Sequence, residues 1–419
     1  PYHKVDVEDI WSWMIKIIKS TANKFQISSI VVSAHGATAA LVSQSKEDGG
    51  LVLPIMDYEW NGLKSINEKY ENIRPSFKET FSPNLPAGLN LGRQLVWLEK
   101  NFPNKFKKAD ALLMYPQYWA WRLTGIFSSE ISSIGCHTDL WEPRTNKFSS
   151  LVNSQNWNKL FPPFKNAWDI LGTISENISN ITGLSRTCRV HVGVHDSNAS
   201  FLRFLLAKKN EDFCVVSTGT WVVCMANQKS LNSLDQTKDM LTNINVEGHP
   251  VPCIRFMGGR EYEKICSITG AKDSKAVTKK DIYQIINNQV MAFPSFSKGN
   301  GPFGRYKSKI QGTPQNGAAL ATLYCAMMIT FCLNELNFKG DVILVGSFLK
   351  NTILCQIVAQ LCSDKDVYIS SDQAATIKGA AQLTDWSKSV SLNLKKCEPC
   401  GIDNLESYMS FWQYAGDLK

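Results

Sequence analysis

Apolar positions near the start of the chain switch between two periods. From Val7 to Ala22 the residues Ile10, Met14, Ile17 and Ile18 recur at helical spacing, which predicts an amphipathic helix. Ser29 to Ala34 is a short β-branched run and predicts a buried strand. Leu51 to Met56, beyond a polar turn from Lys46 to Gly50, is expected to be its partner. Leu91 to Asn101 and Tyr115 to Leu123 have the pattern of amphipathic helices, and strands alternating with helices imply an α/β architecture. A second series starts near Phe213, where FCVVSTGTW predicts a strand, a Gly-bearing turn and a return strand. It continues through a small-residue-rich helix, Ala318 to Leu336, and a strand, turn and helix formed by Val342 to Val345, Gly346 and Thr352 to Cys362. Ala374 to Leu383, rich in small residues around Gly379, is expected to be a helix packed tightly against a sheet. There is no short-period repeat and no low-complexity linker, and a boundary near residue 205 divides the chain into 1–205 and 206–419.

Length supports that division, because 419 residues exceed one ordinary core, and two domains usually enclose a cleft. The composition, 44% hydrophobic and 20% charged, shows no run of 18 apolar residues and no membrane anchor. The opening Pro1-Tyr2-His3-Lys4 has no initiator Met and no apolar signal region, so further residues are expected upstream. A formal charge of +8 suits phosphate-bearing ligands, but the Lys residues are scattered with no Arg/aromatic stripe, so no nucleic-acid partner is expected. Of the twelve cysteines, Cys214, Cys224, Cys325 and Cys332 lie in apolar runs as small hydrophobes, which fits a reducing cytoplasm. The pair Cys397 and Cys400 lacks partners at zinc spacing.

The strongest local signal is Ser217-Thr218-Gly219-Thr220 at the end of an apolar strand, where hydroxyls and a Gly let backbone N–H groups approach a phosphate; a plain hairpin turn is the alternative. About twenty residues upstream, His195-Asp196 follows the apolar run Val190 to Val194, placing a carboxylate at the C-terminal mouth of a sheet. Asp196 is the candidate base, and a helix N-cap role there is compatible with it; His195 orients or packs. Gly346, Ser347 and Asn351 follow a strand in an arrangement that suits a nucleotide or an ordinary βα turn.

The order Ser33-Ala34-His35-Gly36, Pro54-Ile55-Met56-Asp57, YPQYWAWRLTG (115–125), GVHDSNA (193–199), STGTW (217–221), LVGSFLKN (344–351) and IKGAAQL (377–383) resembles FGGY carbohydrate kinases over nearly the whole chain. His-Asp with Ser-Thr-Gly-Thr-Trp is similar to the rhamnulokinase and L-fuculokinase branch, whereas His35-Gly36 is similar to the xylulose kinase branch. The resemblance implies a two-lobed actin-like, ribonuclease-H-like ATPase fold with the active site in the interdomain cleft, ATP and Mg2+ as cofactors, and domain closure before transfer. It implies Asp196 as catalytic base toward the primary hydroxyl of a ketose, with His35, Gly36, Asp57, Trp119, His195 and Ser197 at the sugar. It places Ser217, Thr218, Gly219 and Thr220 at the transferring phosphate, and Gly346, Ser347 and Asn351 by the adenosine. Trp60 and Trp119 are candidates for stacking on the sugar or for the core, and His137-Thr138-Asp139 for facing the sugar or stabilising a turn. The family opens with an Asp-x-Gly-Thr hairpin whose Asp serves the magnesium; no such segment occurs here, so no residue is assigned to a metal. Phe348 stands where many relatives have glycine. The expected substrate is a 6-deoxyketohexose such as L-rhamnulose or L-fuculose, then a pentulose. An impaired sugar- or nucleotide-binding sensor or scaffold is the alternative, and another actin-fold ATPase a third. Tyr408 to Tyr414 is expected to contact a second subunit in a homodimer or to pack back on its own domain.

Overall fold

The computed structural model describes residues 2–418 apart from 45, 46, 210, 229, 272–275 and 373. Lys46, with which the expected polar turn opens, therefore lies outside the described residues. The chain forms two compact units: Pro1–Leu206, Thr242–Pro250 and Ala374–Val390 make unit 1, and Ala207–Leu241, Val251–Gln373 and Ser391–Lys419 make unit 2.

In unit 1 the helix Val7–Ala22 starts where Asp6 accepts the Asp9 N–H, with Glu8 and Asp9 in its first turn and Lys19 in its last, matching the helix dipole. Its inward face is Ile10, Trp11, Met14, Ile15 and Ile18, packed against a buried cluster that includes Tyr118, Trp119 and Val190. Ile17, expected on that face, is 46% exposed, because the i, i+4 rows 10/14/18 and 11/15 already fill the stripe.

The expected hairpin does not form. Ser29–Ile30 pairs in parallel with Arg189–His191, and Ser33–Ala34 pairs in parallel with Val194–His195. Leu51 and Met56 make only isolated bridges, to Val42 and Lys4. Pro54 deprives that segment of a donor in mid-run, while the true partners lie about 160 residues away, beyond the reach of local patterning. The strand Ala39–Val42, antiparallel to Ala111–Met114, lies outside the sequence expectation.

The helices Leu91–Asn101 and Tyr115–Thr124 are buried along most of their length, the second ending in a left-handed Gly125 whose N–H bonds the Trp121 carbonyl at 2.7 Å. The helix Ala375–Gln382 also belongs to unit 1. A Cβ on Gly379 would stand 1.7 Å from the Ala199 carbonyl oxygen, so the closest approach is to the helix Asp196–Ala207, while Ala375–Gln382 also lies beside the sheet strand Ser33–Ala34. Ser200 and Thr376 hydroxyls bond at 2.6 Å, and the rings of Trp168 and Trp386 stack 3.9 Å apart.

Unit 2 is organised around the strand Phe213–Thr218. It pairs antiparallel with Val222–Asn227 and parallel with Asp341–Gly346, which in turn pairs in parallel with Val367–Ser370. The helix Gly317–Leu336 starts at Asn316, whose Oδ1 accepts the N–H groups of Ala318 and Ala319. By length and composition it is the one helix among the described residues able to cross a membrane, which the count of apolar runs had not singled out; 94% of its apolar window is buried, as the central core helix. Tyr408, Met409 and Trp412 of the helix Leu405–Ala415 are buried in the same core, whereas Phe411 and Tyr414 are exposed.

Candidate functional site

Two loops of unit 1 meet because their strands are neighbours. The parallel pairing aligns Ala34 with His195, so His35-Gly36 and Asp196 leave adjacent strands at their C-terminal ends. Gly193 has φ +91°, and a Cβ there would come within 2.9 Å of the Val32 carbonyl oxygen; only glycine makes this bend without strain. The Gln117 amide donates to the carbonyls of Val192 and Gly193, both at 3.2 Å, pinning the interruption between the two short strands.

Asp196 opens the helix Asp196–Ala207 with its side chain 43% exposed. Its Oδ1 accepts the Ser197 N–H at 2.6 Å and lies 3.3 Å from His195 Nε2. His195 is buried, and burial pushes its imidazole down from the usual histidine range; Asp196 opposes that shift and His35 reinforces it. Its other nitrogen, Nδ1, lies 3.2 Å from the Asn198 amide nitrogen, and Cys136 Sγ is 3.5 Å from Nε2. Gly36 fits closely against this group, since a Cβ there would be 3.1 Å from His195 Nε2 and 3.2 Å from Cys136 Sγ. His35 bonds through Nδ1 to the Gly36 carbonyl at 3.0 Å, with its ring 5.3 Å from that of Tyr58 and 4.9 Å from that of Tyr115. Burial raises the Tyr58 phenol, and the carboxylates of Glu59, Asp57 and Asp196 add to the effect, so Tyr58 shares its surroundings with two of the expected site residues. Asp57 accepts the Glu59 N–H at 2.9 Å in a turn.

Not every expected residue joins this group. Trp119 is 3% exposed, with its ring against Trp11, Tyr115 and Tyr118 in the core; it has no face to offer a sugar, which corrects that expectation. Trp60 packs with Tyr2 and Trp97. Asp139 is buried in an ion pair with Arg74 at 3.2 Å and accepts the Tyr70 hydroxyl at 2.6 Å, a structural role. Tyr58, Cys136, Gln117 and Asn198 are the members that sequence reasoning missed. Asn198 sits inside the GVHDSNA motif, where it reads only as a helix opener; the others carry no local signal.

In unit 2, register sets Thr218 opposite Gly346, so the STGT turn and the Gly346-Ser347 turn lie side by side. Gly346 has φ +99°, and a Cβ would fall 2.0 Å from the Thr218 carbonyl oxygen, so no other residue fits there. The Thr218 hydroxyl donates to the Val345 carbonyl at 2.6 Å and accepts the Phe348 N–H at 3.1 Å. Both of its functions are used by the fold, so what Thr218 has to offer a phosphate is its backbone. The Asn351 side chain is likewise engaged by the fold: its Oδ1 caps the helix Thr352–Leu361 at the Leu354 N–H, and its amide donates to Thr322 at 2.8 Å. Thr220 and Ser347 are exposed and Ser217 and Gly219 half-buried, the Ser347 hydroxyl donates to the Thr218 carbonyl at 3.4 Å, and a Cβ on Gly219 would meet nothing closer than 3.9 Å. Beneath the turn, Gly259 donates its N–H to the carbonyls of Gly219 and Thr220 at 3.1 and 3.2 Å, and a Cβ there would be 2.6 Å from the first of them. The adjacent pair Gly258-Gly259 is the sequence signal for this close approach. Phe348 packs against Tyr262, 6.2 Å between ring centroids.

Residues 1–202 match the N-terminal domain of the FGGY family of carbohydrate kinases, and residues 210–391 match the carbohydrate kinase FGGY C-terminal domain. The structure is similar to that of a carbohydrate kinase from Novosphingobium aromaticivorans, with a TM-score of 0.90 at 31% identity over 99% of this chain and 90% of that one. The sequence is similar to L-fuculokinase of Escherichia coli, 25% identical over 52% of this chain and 45% of that protein, and to rhamnulokinase of Bacteroides thetaiotaomicron, 28% identical over 52% and 44%. The chain therefore belongs to the FGGY family of carbohydrate kinases, whose two-domain actin-like α/β fold it has. It spans about half the length of the curated relatives it matches.

Proposed function

We propose that this protein phosphorylates a ketose at a primary hydroxyl with ATP as donor, Asp196 acting as general base. The observation that carries the reading is the state of the Asp196 carboxylate. Oδ1 is held by the Ser197 N–H and faces His195 Nε2, while Oδ2 has no hydrogen-bond partner among the described residues. A half-exposed carboxylate with one oxygen fixed and one open is suited to take a proton from a hydroxyl within hydrogen-bond reach. His195 stays neutral and orients, and His35, Ser197, Asp57 and Tyr58 are the polar groups available to a sugar.

For the nucleotide, the open space over Gly219 and the hydroxyls of Ser217, Thr220 and Ser347 fit a phosphate group held by hydroxyls and backbone N–H donors. When bound, ATP supplies the phosphoryl group, and magnesium neutralises its charge. Among the described residues no group of three or more His, Cys, Asp or Glu side chains is placed to hold a metal ion. A 6-deoxyketohexose is the first substrate class, supported by the His195-Asp196 and STGTW pairing and by similarity to proteins named L-fuculokinase and rhamnulokinase; a pentulose is the second.

Coupled ADP release with ATP, magnesium and a panel of ketoses tests the reading, with Asp196→Asn beside the parent. Sugar-dependent turnover abolished in the variant is expected. A fully active variant overturns the base assignment. Sugar-independent turnover points to another actin-fold ATPase, and silence with nucleotide bound points to a sensor or scaffold.

A further inference from the structure

The group around Asp196 contains a buried amide for which the proposed reaction has no use. Asn198 is 4% exposed, within the first turn of the helix that Asp196 opens, and its Nδ2 lies 3.2 Å from His195 Nδ1. An amide nitrogen only donates, so the ring nitrogen it faces must be the unprotonated acceptor. A neutral imidazole carries one N–H, and with Nδ1 as acceptor that proton is on Nε2. Nε2 is the atom 3.3 Å from Asp196 Oδ1 and 3.5 Å from Cys136 Sγ.

We propose that Asn198 is a positioning residue that fixes His195 in the Nε2–H tautomer, so that the positive N–H edge of the ring lies beside Asp196 Oδ1 and Cys136 Sγ, favours the ionised carboxylate, and leaves Oδ2 as the oxygen that takes the substrate proton. The inference rests on Asp196 being the base, but the tautomer itself does not. The opposite tautomer would set an imidazole lone pair against the carboxylate oxygen, turning Oδ1 away and losing the distinction between the two oxygens. Among the described residues the titratable groups facing the ring are Asp196, next in sequence at the helix start, Cys136 from the segment after Ile131–Ile134, and His35 from the neighbouring strand end. Burial of the ring keeps it neutral, so that the choice of nitrogen, and not the charge, is what Asn198 decides.

The test uses the whole chain with 15N-labelled histidine. Two-bond 1H–15N correlations identify the tautomer, and the His195 signal is assigned by its loss in His195→Gln. The parent is expected to show an Nε2–H ring with Nδ1 unprotonated across pH 6 to 8. In Asn198→Asp the new carboxylate accepts from Nδ1, so the ring gains an Nδ1–H. The kcat for ADP release should then fall about tenfold or more with KM for the sugar little changed, and the acid limb of the rate profile should move to lower pH as the imidazolium gathers beside the base. If Asn198→Asp fails to fold, Asn198→Ala is read instead, with a mixture of tautomers expected. An Nδ1–H ring in the parent, or a tautomer unmoved in every folded variant, overturns the proposal. Full activity of Asp196→Asn would overturn the base assignment and leave the tautomer result standing, so the two failures are separable.

Discussion

Each unit ends a pair of parallel strands in the loops that matter, and the two pairs are held by different means. In unit 1 the loops after Ser33–Ala34 and Val194–His195 are tied by side chains: His195 to Asp196, Asn198 to His195, and Cys136 against both His195 and Gly36. In unit 2 the loops after Phe213–Thr218 and Asp341–Gly346 are tied on backbone atoms: Gly346 against the Thr218 carbonyl, Gly259 against that of Gly219, and the Thr218 hydroxyl between the Val345 carbonyl and the Phe348 N–H. Side-chain ties can be tuned by protonation and by substitution, which suits proton transfer. Backbone ties give a fixed cradle that tolerates no side chain, which suits a ligand as uniform as a phosphate chain.

Substitutions at matched positions sharpen this contrast. The largest effect is expected from Asp196→Asn, a fall in ADP release of about 10²-fold to 10⁴-fold with a melting temperature close to that of the parent, because the side chain is half exposed. Next is Gly346→Ala, where a Cβ would meet backbone 2.0 Å away at a left-handed φ. Urea unfolding should show a loss on the order of 3–5 kcal/mol. Its counterpart Gly36→Ala meets only side-chain atoms at 3.1 and 3.2 Å, so roughly 1 kcal/mol or less is expected in stability, with a larger effect on turnover. An equal stability loss in the two alanine variants would remove the distinction.

Glu261 tests whether the ground beneath the unit 2 turn is equally insensitive to pH. Burial pushes its carboxyl up from 4.5 to about 7, against hydrogen bonds from Tyr324, Ser295 and backbone N–H groups that favour ionisation. A folded-state pKa raised above the unfolded one means that the native protein holds this proton more tightly. The contribution is therefore fully present below pH 4.5, is lost as pH rises towards 7, and is constant above that. Glu261→Gln should match the parent near pH 4.5 and exceed it by about 3 kcal/mol near pH 8, measured by chemical unfolding at the two values. The smallest effect is expected from Thr218→Val, which removes one hydroxyl that both donates and accepts: about 1–2 kcal/mol in urea unfolding.

Elements whose pattern is local were legible in the sequence. The Val7–Ala22 helix, the Phe213–Asn227 hairpin and the Asp341–Leu361 strand, turn and helix formed where periodicity and glycine placed them. Pairings set by distant partners were not: nothing near Ser29 or Ser33 points to Arg189 or Val194. Motif order singled out His35, Gly36, His195, Asp196 and Ser197, and the pairing of Ala34 with His195 makes them neighbours on one sheet edge. What a motif cannot say is how a polar side chain spends its hydrogen bonds. Thr218 and Asn351 look like ligand contacts in sequence and turn out to be committed to the fold, while Asn198 looks like a helix opener and faces an imidazole. Trp119 shows the same limit for aromatics, since composition cannot separate a stacking platform from a core ring.

The return of Ala375–Gln382 to unit 1, with Gly379 against the Ala199 carbonyl and Trp386 on Trp168, has a consequence for the order in which the protein is made. The helix bearing Asp196 leaves the ribosome about 170 residues before the segment that packs on it. At ordinary synthesis rates that is an interval on the order of 10–30 s. During it the Ala199 carbonyl and the Trp168 ring lack the partners they have in the folded chain, and most of unit 2 is synthesised. Neither unit is finished before the other has been largely synthesised, so this chain cannot mature one domain at a time.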